Sequence, residues 1–98
     1  MLTSKQRAYL RSLAHHLEPK LYIGKNFVND NLIKQADDYL TKNELMKCSV
    51  QQNIEADTKE IAIQLANAVN AEIAQVIGRK FVIFRRNNED PIINLPRK

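Results

Sequence analysis

The 98-residue chain holds one cysteine, Cys48, which excludes an intramolecular disulfide and any cysteine-rich metal cluster. A lone thiol fits a reducing compartment and leaves only an intermolecular bridge open to it. Long apolar stretches are also missing. The longest uninterrupted run is Phe81–Phe84, far short of the roughly 20 residues a membrane-spanning helix needs. Met1–Gln6 lacks a basic segment leading into an apolar one, so no secretory signal is read there and a cytoplasmic location is expected. Only two glycines occur, Gly24 and Gly78, and neither precedes the Gly-Lys-Ser/Thr ending of a Walker-type loop, which disfavours nucleotide hydrolysis. Carboxylates at a spacing useful for acid–base work are absent too, because Asp37 and Asp38 are adjacent and diverge on a helix. His15 and His16 likewise point about 100° apart and do not chelate one metal together. No cofactor or metal is expected, and Cys48 has no activating histidine placed by a motif. With no repeat, low-complexity tract or linker, one domain spans 1–98, with a core over about 2–86 and a short tail over 87–98. A chain of this size buries only about two thirds of its unfolded surface, which leaves little room for a deep enzyme cleft.

What the chain does have is basic charge, fifteen Lys and Arg against eleven Asp and Glu, for a net +4. That charge is uneven. Residues 1–27 carry a net +4, residues 28–60 a net −3 and residues 61–98 a net +3. A fold that joined the two basic ends would concentrate a positive field on one side and suit an anionic partner.

Thr3-Ser4-Lys5-Gln6 has capping-box spacing and predicts a helix start. Leu10, Leu13, Ala14 and Leu17 then line one stripe until Pro19, while Arg7, Arg11 and His15 recur every four residues on another. Leu21-Tyr22-Ile23, closed by Gly24, reads as a short buried strand. Asn29 or Asp30 can cap a second helix carrying Leu32, Ile33, Ala36 and Leu40, with Asn43 able to end it in a left-handed conformation. Leu45–Gln51 alternates, with Met46, Cys48 and Val50 on one face and Lys47, Ser49 and Gln51 on the other. Asp57-Thr58-Lys59-Glu60 opens a third helix predicted to run to about Ala74. Val76-Ile77 and Phe81–Arg85 read as two strands joined at Gly78-Arg79-Lys80. The tail either adds an edge segment at Ile92-Ile93 or frays. The order α-β-α-β-α-β-β predicts a layered α/β domain with three helices and a four-stranded mixed sheet.

The passage from Ile23 to Leu32 is the most informative. A glycine at a strand's end lets backbone approach a ligand, the next helix presents unpaired N–H groups, and Lys25 adds a full charge there. That geometry suits a phosphate.

Leu10-Arg11-Ser12-Leu13-Ala14-His15-His16-Leu17-Glu18-Pro19, followed by Tyr22-Ile23-Gly24-Lys25, resembles the YhbY-type family, whose module is called the CRM domain, for chloroplast RNA splicing and ribosome maturation. The resemblance continues through Val28–Gln35, Leu45–Val50 and Gln75–Phe84, and covers the chain from Leu2 to about Arg86. It implies a stand-alone, non-enzymatic RNA-binding domain acting on ribosomal RNA in precursors of the large ribosomal subunit. It also implies a fold similar to the C-terminal domain of translation initiation factor 3. The family loop usually reads Gly-Lys-x-Gly, analogous to the Gly-x-x-Gly loop of KH domains. Gly24 and Lys25 match it, Asn26 fills the variable place, and Phe27 stands where the second glycine belongs. That ring either stacks an unpaired base or packs back against the second helix.

On this reading RNA phosphates meet Lys25, the N–H groups opening the second helix, and the stripe of Arg7, Arg11 and His15. Lys5 and Lys20 are outer contacts, and Tyr22 lies beside the loop. Arg79, Lys80, Arg85 and Arg86 form a second basic cluster. The protein is expected to be a monomer with no membrane partner. The competing reading is a protein-interaction adapter whose acidic middle, Asp37, Asp38, Glu44, Glu55 and Asp57, contacts basic ribosomal proteins.

Overall fold

The computed structural model describes residues 2–24, 28–52, 55 and 57–96. Thr3 caps α1 (Ser4–Ala14): its side chain accepts from the Gln6 N–H, and the Gln6 side chain accepts from the Thr3 N–H in return. The capping box is therefore closed in both directions. Asn29 caps α2 (Asp30–Asn43) by accepting from the Leu32 N–H, and Asp57 caps α3 (Thr58–Ala68) by accepting from the Lys59 N–H. The strands are β1 (Leu21–Ile23), β2 (Leu45–Val50), β3 (Glu72–Ile77) and β4 (Lys80–Phe84).

The sheet runs β1-β2-β4-β3. α2 crosses between β1 and β2, which are parallel, and β4 pairs antiparallel with both β2 and β3. Gly78, at the first position of the tight β3–β4 turn, takes φ 57, as a type II′ turn requires. Period-2 alternation then divides the strand residues between two cores. Met46, Cys48, Val50, Phe81 and Ile83 pack under α2 and α3 against Ala36, Leu40, Ile61 and Leu65. Leu45, Ala74, Val82 and Phe84 face the other way, toward Leu2, Leu10 and Ala14 of the α1 layer. Each fully buried Leu, Ile or Phe contributes about 1.5–3 kcal/mol, so both layers are held chiefly by apolar area.

Three boundaries depart from the sequence-based expectation. α3 stops at Ala68 rather than near Ala74, because Asn70 takes φ 56 and turns the chain, so that Ile73 pairs with Ile83 in the sheet. At the end of α2, Asn43 stays helical and Glu44 adopts the left-handed conformation, φ 66. The tail neither forms a strand nor frays. Ile93 and Leu95 pack on the α1-side core, and Gln6 Nε2 donates to the Pro96 carbonyl at 3.0 Å.

Glu44 is the anchor of that tail and is completely buried. Its carboxylate accepts from the backbone N–H groups of Asn87, Ile92 and Ile93 at 2.6, 2.8 and 2.7 Å. Burial pushes its pKa upward, but these N–H groups together with the Arg86 charge outweigh that and hold it below the ordinary glutamate value.

Candidate nucleic-acid interface

α1 covers only one end of its sheet face. Leu45, Phe84 and Glu72 form the covered row, and in the next, Lys47–Val82–Gln75, Val82 is still buried while Lys47 and Gln75 are half-buried. The outer row, Tyr22–Ser49–Lys80–Ile77, remains open. Residues in one row share a face, so the outer row crosses all four strands over about 14 Å. Tyr22 and Ile77 are 63% and 61% exposed, unusual for large apolar side chains on a sheet.

Between this open end and α1 lies a groove of about 520 Å³, lined among others by Arg11, His15, Lys47, Gln75, Ile77 and Lys80. Among the described residues, no carboxylate lines it. Lys47 is partly secured by donating to the Leu17 carbonyl at 3.4 Å, which keeps its charge at the groove's edge. The result is a shallow cationic trough with Ile77 in its wall, and the Tyr22 ring stands on the same sheet row two strands from Lys80.

The sequence-predicted residues separate when mapped onto this surface. Arg11 and His15 share the groove, whereas Arg7 turns toward α3 and donates to the Leu2 carbonyl at 3.2 Å. Lys5 is exposed but lies about 120° around α1 from Arg11. Lys20 is exposed too, and its backbone extends the β1 ladder by donating to Lys47. Gly24 ends β1 with its φ outside the left-handed region, and a methyl group there would meet only the Gln51 side chain, at 3.6 Å. The fold itself therefore does not require glycine at this position. Lys25, Asn26 and Phe27 lie outside the described residues.

The second basic cluster is divided by β4. Lys80 begins the strand and joins the groove with Arg79 beside it in the turn, while Arg85 and Arg86 follow its other end, about 16 Å away. Arg85 is engaged in the fold. It pairs with the Asp37 carboxylate and donates to the carbonyls of Asp37 and Val69 and to Thr41 Oγ1. Arg86 is exposed beside Glu44. Lys47, Ser49, Gln75 and Ile77 were not singled out as site residues from sequence. The polar alternation of β2 was the one signal available for the first two.

His15 and His16 meet edge to face, with ring centroids 5.5 Å apart, and no group of metal-ligating side chains occurs among the described residues. Burial pushes the Cys48 thiol up to about 12. No helix among the described residues is long and apolar enough to cross a membrane.

The arrangement is a small α/β domain with a shallow, cation-lined groove between α1 and the open end of its sheet. The chain belongs to the CRS1/YhbY (CRM) domain family, whose pattern matches residues 2–85. It is 44% identical over 96 residues to "Probable RNA-binding protein YqeI" of Bacillus subtilis (strain 168), covering 98% of this chain and all of that one. A Haemophilus influenzae protein named "RNA-binding protein" is 33% identical, with 99% and 97% of the two chains covered. The solution structure of SAV1595 from Staphylococcus aureus, described as a candidate RNA-binding protein, is 50% identical and superposes with a TM-score of 0.83 over 98% of this chain and all of that one.

Proposed function

We propose that this protein is a non-enzymatic RNA-binding factor that acts, as a cytoplasmic monomer, on ribosomal RNA in precursors of the large ribosomal subunit. The observation that carries RNA binding is the groove in which Arg11, His15, Lys47 and Lys80 converge without an opposing carboxylate, in a chain whose relatives are named for binding RNA. Ribosomal RNA as the target rests on the family resemblance. Phosphates meet Arg11, Lys47 and Lys80, with Lys25 and the N–H groups opening α2 extending the contact from the Gly24 end. Neutralising about four phosphates releases their counterions, so affinity should fall with a log–log salt slope of about −3.

Of the acidic residues the adapter reading uses, Glu44 is buried and Asp37 pairs with Arg85, whereas Asp38, Glu55 and Asp57 are exposed.

Reversing Arg11 and Lys25 together to Glu tests the reading. Affinity for ribosomal RNA fragments should collapse and the salt slope should flatten, while unchanged affinity and slope would refute the assignment. Crosslinking in cells followed by sequencing of the attached RNA tests the target. Enrichment of large-subunit precursor RNA is the expected result, and its absence would remove that part of the reading.

A further inference from the structure

The residues with which an RNA-binding surface neutralises phosphate do not explain why Tyr22 and Ile77 are left in solvent. Both stand on the open row Tyr22–Ser49–Lys80–Ile77, on a face that α1 could have covered and does not. We infer that this row is a seat for an unpaired RNA nucleotide, with its base stacked on the Tyr22 ring and its phosphates held by Lys80, Lys47 and Arg11. The inference rests on the RNA-binding reading above and narrows it from RNA in general to single-stranded RNA at this face.

Three observations on the surface favour this occupant. Among the described residues, neither the open row nor the groove beside it carries a carboxylate, so the field along the shelf has one sign and complements a polyanion. The ring stands beside the cations on the same face, with Lys80 two strand spacings from Tyr22, about 10 Å. A base stacked on the ring thus leaves its backbone within reach of them. Ser49 lies between Tyr22 and Lys80, and Gln75 lines the groove on the far side of β4, so a hydroxyl and an amide can meet base edges. A duplex hides its base faces in the stack and gains only the phosphate contacts here, whereas an unpaired nucleotide gains both.

The test compares a short single-stranded RNA carrying one 2-aminopurine with a blunt RNA duplex of the same length. Each is titrated against the wild-type chain and against Tyr22→Ala, Tyr22→Phe and Arg11→Glu. The proposal expects Tyr22→Ala to weaken single-strand binding roughly 5- to 100-fold. It expects duplex binding to stay within about twofold, 2-aminopurine quenching to disappear, and Tyr22→Phe to behave like wild type. Because Tyr22 is largely exposed, a thermal melt should show all of these variants folded. Unchanged single-strand affinity and quenching in Tyr22→Ala, with binding still lost in Arg11→Glu, would overturn the shelf and leave the RNA reading standing. Equal weakening of single strand and duplex would also overturn it. Absence of RNA binding by the wild-type chain would overturn both. Self-association of the RNA-free chain that Tyr22→Ala abolishes would give the shelf to a second copy and overturn it as well.

Discussion

Replacing Glu44 with alanine removes the acceptor for three tail N–H groups at 2.6–2.8 Å while leaving the polypeptide's left-handed turn in place. Hydrogen bonds to a charged acceptor contribute about 1.5–3 kcal/mol each, but these three do not add in full, because the freed tail can peel away and hydrate. Peeling forfeits the packing of the half-buried Ile93 and Leu95 and the Gln6–Pro96 bond. Together these terms put the loss at about 2–4 kcal/mol, or a drop in Tm of roughly 10–25 °C for a domain of this size. Urea unfolding followed by circular dichroism measures it. Glu44→Gly separates the two features of the site. It loses the same acceptor but escapes the penalty of about 1–2 kcal/mol that a side chain carries in the left-handed region, so it should be less destabilised than Glu44→Ala by about that amount. Deleting residues 87–96 from the wild type strands a buried carboxylate, so the deletion should cost less in the Glu44→Ala background than in the parent. A loss below about 1 kcal/mol in Glu44→Ala, or strict additivity of the substitution and the deletion, would refute the anchor.

The same carboxylate makes stability acid-sensitive. Its folded pKa is depressed from 4.5, so its contribution is complete above that value and is lost as the pH falls through the lower folded value; hydrogen exchange should show the tail opening over that window in wild type but not in Glu44→Gln. Arg85→Lys retains the charge but not the fork that reaches Asp37, Thr41 and Val69, and should lower stability by about 1–2 kcal/mol in denaturant melts without changing the salt slope of RNA binding. Gly24→Ala should leave stability within about 1 kcal/mol, since its methyl group is accommodated, yet weaken RNA binding if backbone approaches phosphate there; a variant that binds like wild type would remove Gly24 from the interface. Cys48, buried with its thiol raised to about 12, should resist a thiol reagent at pH 8 until urea unfolds the chain, and rapid labelling of the native protein would contradict its placement.

Local chemistry was readable in the sequence wherever the partners lie within a few residues. Thr3 with Gln6 announced α1, Asn29 or Asp30 stood as the cap of α2, and the alternation of Met46, Cys48 and Val50 announced the buried side of β2. α3 overran because Ile61, Leu65, Val69 and Ile73 keep a period of four across its true end, and periodicity cannot register that Asn70 turns the chain. Glu44 was counted with a surface acidic segment because its partners are 43 to 49 residues away and are backbone groups, which composition does not reveal. Arg7 and Arg11 fell on one helical stripe, yet only sheet packing decides that one guanidinium reaches Leu2 and the other the groove. The open row drew its members from all four strands. It exists only once register is set, so no window of sequence contains it.

The bond from Gln6 to Pro96 spans 90 residues of chain. α1 is the first of the seven elements to leave the ribosome, but Val82 and Phe84, which it must cover, are among the last. Until β4 arrives, the apolar stripe of Leu10 and Ala14 has nothing to pack on, whereas the β1-α2-β2 unit can assemble from neighbouring segments. The order of synthesis and the order of docking are thus reversed for this helix, and the cationic trough that α1 borders is completed only when almost the whole domain has been made.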